Sequence, residues 1–235
     1  MNLINKGDRI LIAGDSWGCG EWAVFGTKIA HLGLEAYLVE YGCTVTNVSV
    51  AACSNIDSIN NIKHKLIDNT YDVIIWLQSD PVRDLKPYKD NADKFALELE
   101  DFLKVRDNLI DDNYRTLNSL GPTIYCMGGS SDINMQLINK YSNLKPVIPS
   151  IVEFFGCISI PLWVPGSRWL SDRGITLSNS IVEYMCQINK KWFEGFRFGI
   201  DANLDKKWFF PDGHHPNRHA HKKIFEYLLD FKLPD

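Results

Sequence analysis

Four short apolar runs, each closed by a small or polar cluster, constrain this chain more than any other feature. Residues 9–13 (RILIA) end at Gly14, residues 44–50 (TVTNVSV) alternate in β-branched side chains, residues 73–77 (VIIWL) are wholly apolar, and residues 123–127 (TIYCM) follow Gly121-Pro122. Runs of this length and type read as half-buried or buried strands. Between them lie longer stretches with apolar residues at helical spacing: 22–41, with Gly42 just past the end; from Asn55 or Ser58 to about 67; and 90–120. Strand alternating with helix builds a parallel sheet covered on both faces. A fifth strand is expected near 156–160, a helix over 178–191, and a closing helix from Pro216 to about 231, with Pro216 in its first turn. The fold class is therefore α/β, a three-layer α/β/α sandwich around a central parallel sheet of about five strands. No repeat, low-complexity tract or linker divides the chain, so 1–235 reads as one domain.

Composition narrows the function classes. Hydrophobic residues make up 45% and charged residues 23% of the 235, enough apolar material for a core without staples. A net charge of −4 gives no electrostatic reason to expect nucleic acid or an anionic membrane as partner. The six cysteines (Cys19, Cys43, Cys53, Cys126, Cys157 and Cys186) are scattered, form no CxxC pair, and read as buried free thiols in a reducing compartment. The first residues carry no apolar signal core, and no apolar run approaches the ~20 residues of a membrane span. A cytoplasmic location is the expectation.

In an open parallel sheet, ligands sit beyond the carboxyl ends of the strands. Gly14-Asp15-Ser16, Ala52-Cys53-Ser54-Asn55 and Gln78-Ser79-Asp80 each follow a strand, and Asp212-Gly213-His214-His215-Pro216-Asn217 precedes the last helix. A serine hydroxyl needs an adjacent base to act as a nucleophile near neutral pH, and a histidine oriented by a carboxylate is such a base. Gly-Asp-Ser after the first strand, with Asp-x-x-His-Pro-Asn before the last helix, resembles the SGNH (GDSL) hydrolase family, over nearly the whole chain.

The resemblance implies a flavodoxin-like sandwich and a serine esterase working through an acyl-enzyme, with Ser16 as nucleophile, His215 as base and Asp212 orienting the imidazole. It implies a small-molecule or glycan ester as substrate, such as an acetylated sugar or short acyl ester, and no metal or organic cofactor. Asp15, beside the nucleophile, reads as a brace of the turn. For the oxyanion, the resemblance implies three donors: the Ser16 N–H, a backbone N–H from the second cluster and an asparagine side chain from the third.

The second cluster has no glycine, leaving Ala52 or Cys53 to supply the N–H. The third lacks the asparagine, leaving Gln78 or Ser79, because Asp80 as a carboxylate cannot donate. Arg83 is a candidate for an acidic or sugar group of the substrate, and Trp17 for stacking on it; the remaining tryptophans, Trp22 among them, read as core or cleft wall. The missing glycine and asparagine motivate a second reading, a weakly active or inactive binding module on the same fold. A third, a metal-dependent hydrolase, comes from His214, His215, His219 and His221 within eight residues, although no HExxH pattern is present. Otherwise His219 and His221 read as a solvated helix face, and His31 and His64 as ordinary helix residues.

Overall fold

The computed structural model describes residues 2–23, 28–81, 83–84, 99–129, 132–157, 206–209 and 215–232, with backbone alone for 99–103 and 206. The main-sheet strands are β1 (Arg9–Ala13), β4 (Thr44–Asn47), β5 (Val73–Gln78), β6 (Ile124–Gly128) and β7 (Leu144–Ile148). A two-stranded antiparallel ribbon, β2 (Glu21–Trp22) with β3 (Ile29–His31), stands apart from them. The helices, in chain order, are α1 (Ser16–Cys19), α2 (Leu34–Tyr41), α3 (Asn55–Asp68), α4 (Leu99–Asn118), α5 (Met135–Ile138), α6 (Ile151–Phe154), α7 (Lys206–Phe209) and α8 (Arg218–Asp230).

All pairings in the main sheet are parallel, in the order β4-β1-β5-β6-β7. That is the flavodoxin-like order, with its switch point between β1 and β5, where a crevice opens at the carboxyl ends of the strands. Side chains alternate across the pleat and define two cores. Ile10, Ile12, Val73, Ile75, Leu77 and Met127 face α2, α6 and α8 through Leu34, Leu38, Ile151, Ile224 and Leu228. Leu11, Ala13, Ile74, Trp76, Ile124 and Cys126 face α3, α4 and α5 through Ile59, Ile62, Ile110, Tyr114, Leu117 and Ile138. The three layers follow directly from this alternation.

Three expectations from the sequence need correction. The stretch 22–41 is not one helix: Glu21–Trp22 pairs with Ile29–His31, and the helix begins only at Leu34, after Gly33 with φ 58°. Its apolar spacing misled because Ile29 and Leu32 are exposed, so no buried helical stripe spans the segment. The fifth strand of the described sheet is Leu144–Ile148, where none was expected; of the strand expected near 156–160, Gly156 and Cys157 lie in no strand and 158–160 fall outside the described residues. Pro146 disguised that strand, and it is tolerated because β7 is the edge strand of the sheet among the described residues. Finally, α8 starts at Arg218 with Asn217 as its cap, so Pro216 precedes the helix instead of opening it. The expected helix over 178–191 lies outside the described residues. Five of the cysteines are free thiols, Cys157 half-buried and the other four buried; Cys186 is outside the described residues. No helix among the described residues is long and apolar enough to cross a membrane.

Candidate active site

The turn after β1 is built to project one hydroxyl. A Cβ on Gly14 would lie 2.8 Å from the Leu77 Cβ and 2.9 Å from its carbonyl oxygen, so only glycine lets the turn rest on the end of β5. Asp15 then caps α1, its Oδ1 accepting from the Trp17 N–H at 3.0 Å. Its other oxygen accepts from Ser79 Oγ at 3.0 Å and pairs with Arg83 Nη1 at 2.9 Å. Asp15 is therefore a brace for the turn. Ser16 follows as the first residue of α1 and is largely buried.

The other half of the site comes from the far end of the chain. Asn217 caps α8 by accepting from the Ala220 N–H, while its amide Nδ2 donates to the Lys207 carbonyl at 2.8 Å and its backbone N–H to the Trp208 carbonyl at 2.7 Å. These bonds tie the start of α8 to α7 and fix the half-buried His215 just ahead of it. His215 Nε2 lies 2.8 Å from Ser16 Oγ, across 199 residues of sequence. That is hydrogen-bond distance for a nucleophile and its base. Trp22 faces the same imidazole, with ring centroids 5.4 Å apart, and its indole N–H donates to the Ser16 carbonyl at 3.0 Å.

Asp212 and His214 lie outside the described residues. Among the oxyanion candidates, Ala52 is exposed and has φ 57°, the one non-glycine residue among those described with a positive φ. An alanine thus occupies the left-handed region that favours glycine, in a cluster that holds no glycine. The loop carrying it is held on the nucleophile turn by the Val50 N–H, which donates to the Gly14 carbonyl at 3.1 Å. The Cys53 N–H instead donates to the Val50 carbonyl at 3.0 Å and closes the turn, so it is not a free donor.

Gln78 and Ser79 are also engaged internally, which corrects their candidacy. Gln78 Nε2 donates to the Asp132 carbonyl and its Oε1 accepts from the Tyr114 hydroxyl. The Ser79 hydroxyl goes to Asp15, and its backbone is pinned at both ends by Asn55: Ser79 N–H to Asn55 Oδ1 at 2.7 Å, and Asn55 Nδ2 to the Ser79 carbonyl at 3.0 Å. The Arg83 guanidinium pairs with the buried Asp15 carboxylate at 2.9 Å, which gives it a structural role under the nucleophile turn. Trp17 is only 6% exposed and packs on Phe209, so it serves as core and not as a stacking platform. Among the described residues, the half-buried Trp22 is the indole nearest the imidazole, with the buried Trp17 edge-on to it at 6.3 Å between centroids.

Behind the loop sits a second carboxylate. Asp84 is fully buried and accepts from Asn55 Nδ2, the Ile56 N–H and Asn113 Nδ2. Burial pushes its carboxyl up to about 6, against the pull of those three donors. Both thiols near the site are held protonated at neutral pH: burial pushes Cys19 up to about 11 and Cys53 up to about 12. Neither competes with Ser16 as nucleophile.

The histidine-rich end divides differently from the sequence reading. His219 is exposed, but His221 is buried in the core, and burial holds its imidazole down at about 4. His31 lies in β3 and not in a helix. Among the described residues no group of three or more His, Cys, Asp or Glu could hold a metal ion.

The fold and the contact define a class in structural terms: a three-layer α/β/α domain with a Ser–His pair at the carboxyl edge of a parallel sheet. No protein-family model matches the chain, and no curated protein matches its sequence. Solved structures similar to it include Axe2, an acetylxylan esterase from Geobacillus stearothermophilus, at 16% identity and TM-score 0.39, covering 98% of this chain and 97% of that one. The psychrotrophic esterase EstA from Pseudoalteromonas sp. is similar at 13% identity and TM-score 0.42, over 95% of each chain. A lipolytic G-D-S-L family protein from Veillonella parvula is similar at 13% identity and TM-score 0.41, over 94% of this chain and 96% of that one.

Proposed function

We propose that the chain is a serine-dependent carboxylic ester hydrolase. The observation that carries this reading is the 2.8 Å contact between Ser16 Oγ and His215 Nε2. His215 takes the Ser16 proton as Oγ bonds to the ester carbonyl carbon, giving a tetrahedral intermediate. The imidazolium then returns the proton to the departing alcohol oxygen, leaving an acyl-Ser16. Water, deprotonated by the same imidazole, releases the acid and restores the hydroxyl. In this reading Asp212 accepts from the other imidazole nitrogen, holds the tautomer and stabilises the cation.

The developing oxyanion is met by backbone donors at two loops of the crevice, the Ser16 N–H at the head of α1 and the Ala52 N–H. Each such donor is worth about two to three orders of magnitude in rate. Among the described residues at the end of β5, Gln78 and Ser79 are spent on internal hydrogen bonds and are not counted as a third donor. A water-accessible ester of small size, an acetylated sugar or a short acyl ester, is the substrate class offered for test.

The test is hydrolysis of p-nitrophenyl acetate and a panel of acetylated sugars by wild type, Ser16→Ala and His215→Ala. Wild-type turnover with a loss of about four to six orders of magnitude in either variant supports the reading. Equal turnover in wild type and Ser16→Ala overturns it.

A further inference from the structure

The half-buried Trp22 is not a wall of the cleft alone. It makes two contacts to the reacting pair from one ring system: its indole N–H donates to the Ser16 carbonyl at 3.0 Å, and its ring packs against His215 with centroids 5.4 Å apart and planes tilted by 37°. The Ser16–Trp17 peptide is thereby held at both ends, its carbonyl by Trp22 and its N–H by the Asp15 carboxylate at 3.0 Å. Trp22 itself is anchored through its neighbour: Glu21 accepts from the Arg218 backbone N–H at 2.6 Å and from its guanidinium at 2.7 Å, which joins β2 to the helix that follows His215.

Resting on the Ser–His reading above, we propose that Trp22 is a positioning residue that favours proton transfer from Ser16 to His215. Before transfer the imidazole is neutral and its contact with the indole is ordinary packing. After transfer it carries a positive charge within cation–π range of the most electron-rich side-chain ring. The attraction is therefore stronger in the transition state than in the ground state, so it acts on kcat and leaves KM little changed. At the same time the indole N–H keeps the Ser16 peptide from rotating, which holds Oγ on the imidazole nitrogen. The other charged or titratable groups near them on the described elements are Asp15 at the head of α1 and Cys19 within it, Glu21 on β2, His31 on β3, and Arg218, His219, His221, Lys222 and Lys223 in the first two turns of α8.

Two readouts on wild type, Trp22→Phe and Trp22→Leu test this. The first is kcat and KM for p-nitrophenyl acetate across pH; the second is the His215 imidazole titration followed by NMR, assigned with His215→Gln. Trp22→Leu should lower kcat by about 2- to 30-fold with KM within about twofold, and Trp22→Phe should fall between it and wild type. The His215 titration midpoint should move to lower pH in Trp22→Leu and less so in Trp22→Phe, because the cation has lost its π partner. An unchanged midpoint in a Trp22→Leu protein that retains the wild-type melting transition overturns the proposal. So does an unfolded Trp22→Leu together with a Trp22→Phe whose midpoint and kcat equal wild type. Failure of the hydrolase reading is seen separately, as wild-type turnover that survives Ser16→Ala.

Discussion

Glu21 and Arg218 meet across 197 residues of sequence, the carboxylate accepting from the Arg218 backbone N–H at 2.6 Å and from Nη2 at 2.7 Å. The two residues stand five positions after Ser16 and three after His215, so this pair closes the same gap that the reacting groups close. It also places a carboxylate on the N-terminus of a 13-residue helix, where the helix dipole favours negative charge. Burial alone raises the Glu21 carboxyl, but the bonds and charge of Arg218 outweigh it and hold it below its ordinary value.

Removing that charge should loosen the base more than the core. Glu21→Gln is expected to cost about 1–3 kcal/mol in urea unfolding, since Arg218 is half exposed and keeps its hydration. The larger effect should fall on kcat for ester turnover, with Arg218→Ala giving a similar loss and the double variant costing less than the sum of the two. A depressed carboxyl contributes stability above its unfolded titration range that disappears on acidification through the folded one. The wild-type advantage over Glu21→Gln should therefore shrink below about pH 4.5.

Asp15 and Arg83 form the other ion pair at the site, and both side chains are nearly buried, at 7% and 13% exposure. Arg83→Ala leaves the Asp15 carboxylate buried beneath the nucleophile without its cation, a change that typically costs about 3–5 kcal/mol. Thermal and urea melts should register that loss. Fluorophosphonate labelling of Ser16 should slow in the same variant, because Asp15 also caps α1. A substrate-binding role for Arg83 instead predicts raised KM with unchanged stability.

Two buried groups give opposite acid responses. The His221 imidazole titrates at about 4 in the fold against its ordinary value of 6.5, so between those values the unfolded chain binds more protons and stability falls as pH falls. The difference amounts to roughly 3 kcal/mol. Asp84 titrates at about 6 against an ordinary 3.8, so over its window the native state binds more protons and its contribution rises as pH falls. Urea unfolding of wild type against His221→Leu from pH 7 to 4 should show wild type losing ground to the variant on acidification. A parallel pair of curves contradicts the buried neutral imidazole.

Ala52 tests the backbone of the proposed oxyanion donor. Its φ of 57° costs an L-residue with a Cβ about 1–2 kcal/mol relative to glycine. Ala52→Gly relieves that strain but adds freedom to the unfolded chain, so its melting temperature should stay near wild type with full turnover. Ala52→Val, β-branched in the left-handed region, should be destabilised by about 1–3 kcal/mol and lose turnover as the N–H moves.

Much of the sheet was legible in the sequence because β-branched runs of strand length sit between glycine-marked turns. Residues 73–77 and 9–13 are apolar on both faces, as a central parallel strand must be, and both lie in the middle of the sheet. The edge strand Leu144–Ile148 was not legible, since Pro146 and Lys145 break its apolar pattern and an edge needs no continuous one. The ribbon Glu21–Trp22 with Ile29–His31 escaped for a related reason: it is held by Arg218 and by the indole bond to Ser16, contacts from distant sequence. At the site, Ser16 and His215 were readable from their motifs. The engagement of Gln78, Ser79 and Arg83 was not, because a polar residue after a strand looks the same whether it faces substrate or a buried Asp15. His221 looked solvent-facing only because its neighbours His219, Lys222 and Lys223 are exposed.

The most direct measurement is fluorophosphonate labelling of the whole chain followed by peptide mass spectrometry. One phosphonylated residue is expected, Ser16, with labelling abolished in Ser16→Ala and slowed by at least about a thousandfold in His215→Ala. Labelling that persists in Ser16→Ala, or proceeds at the wild-type rate in His215→Ala, rules out Ser16 as a nucleophile activated by His215.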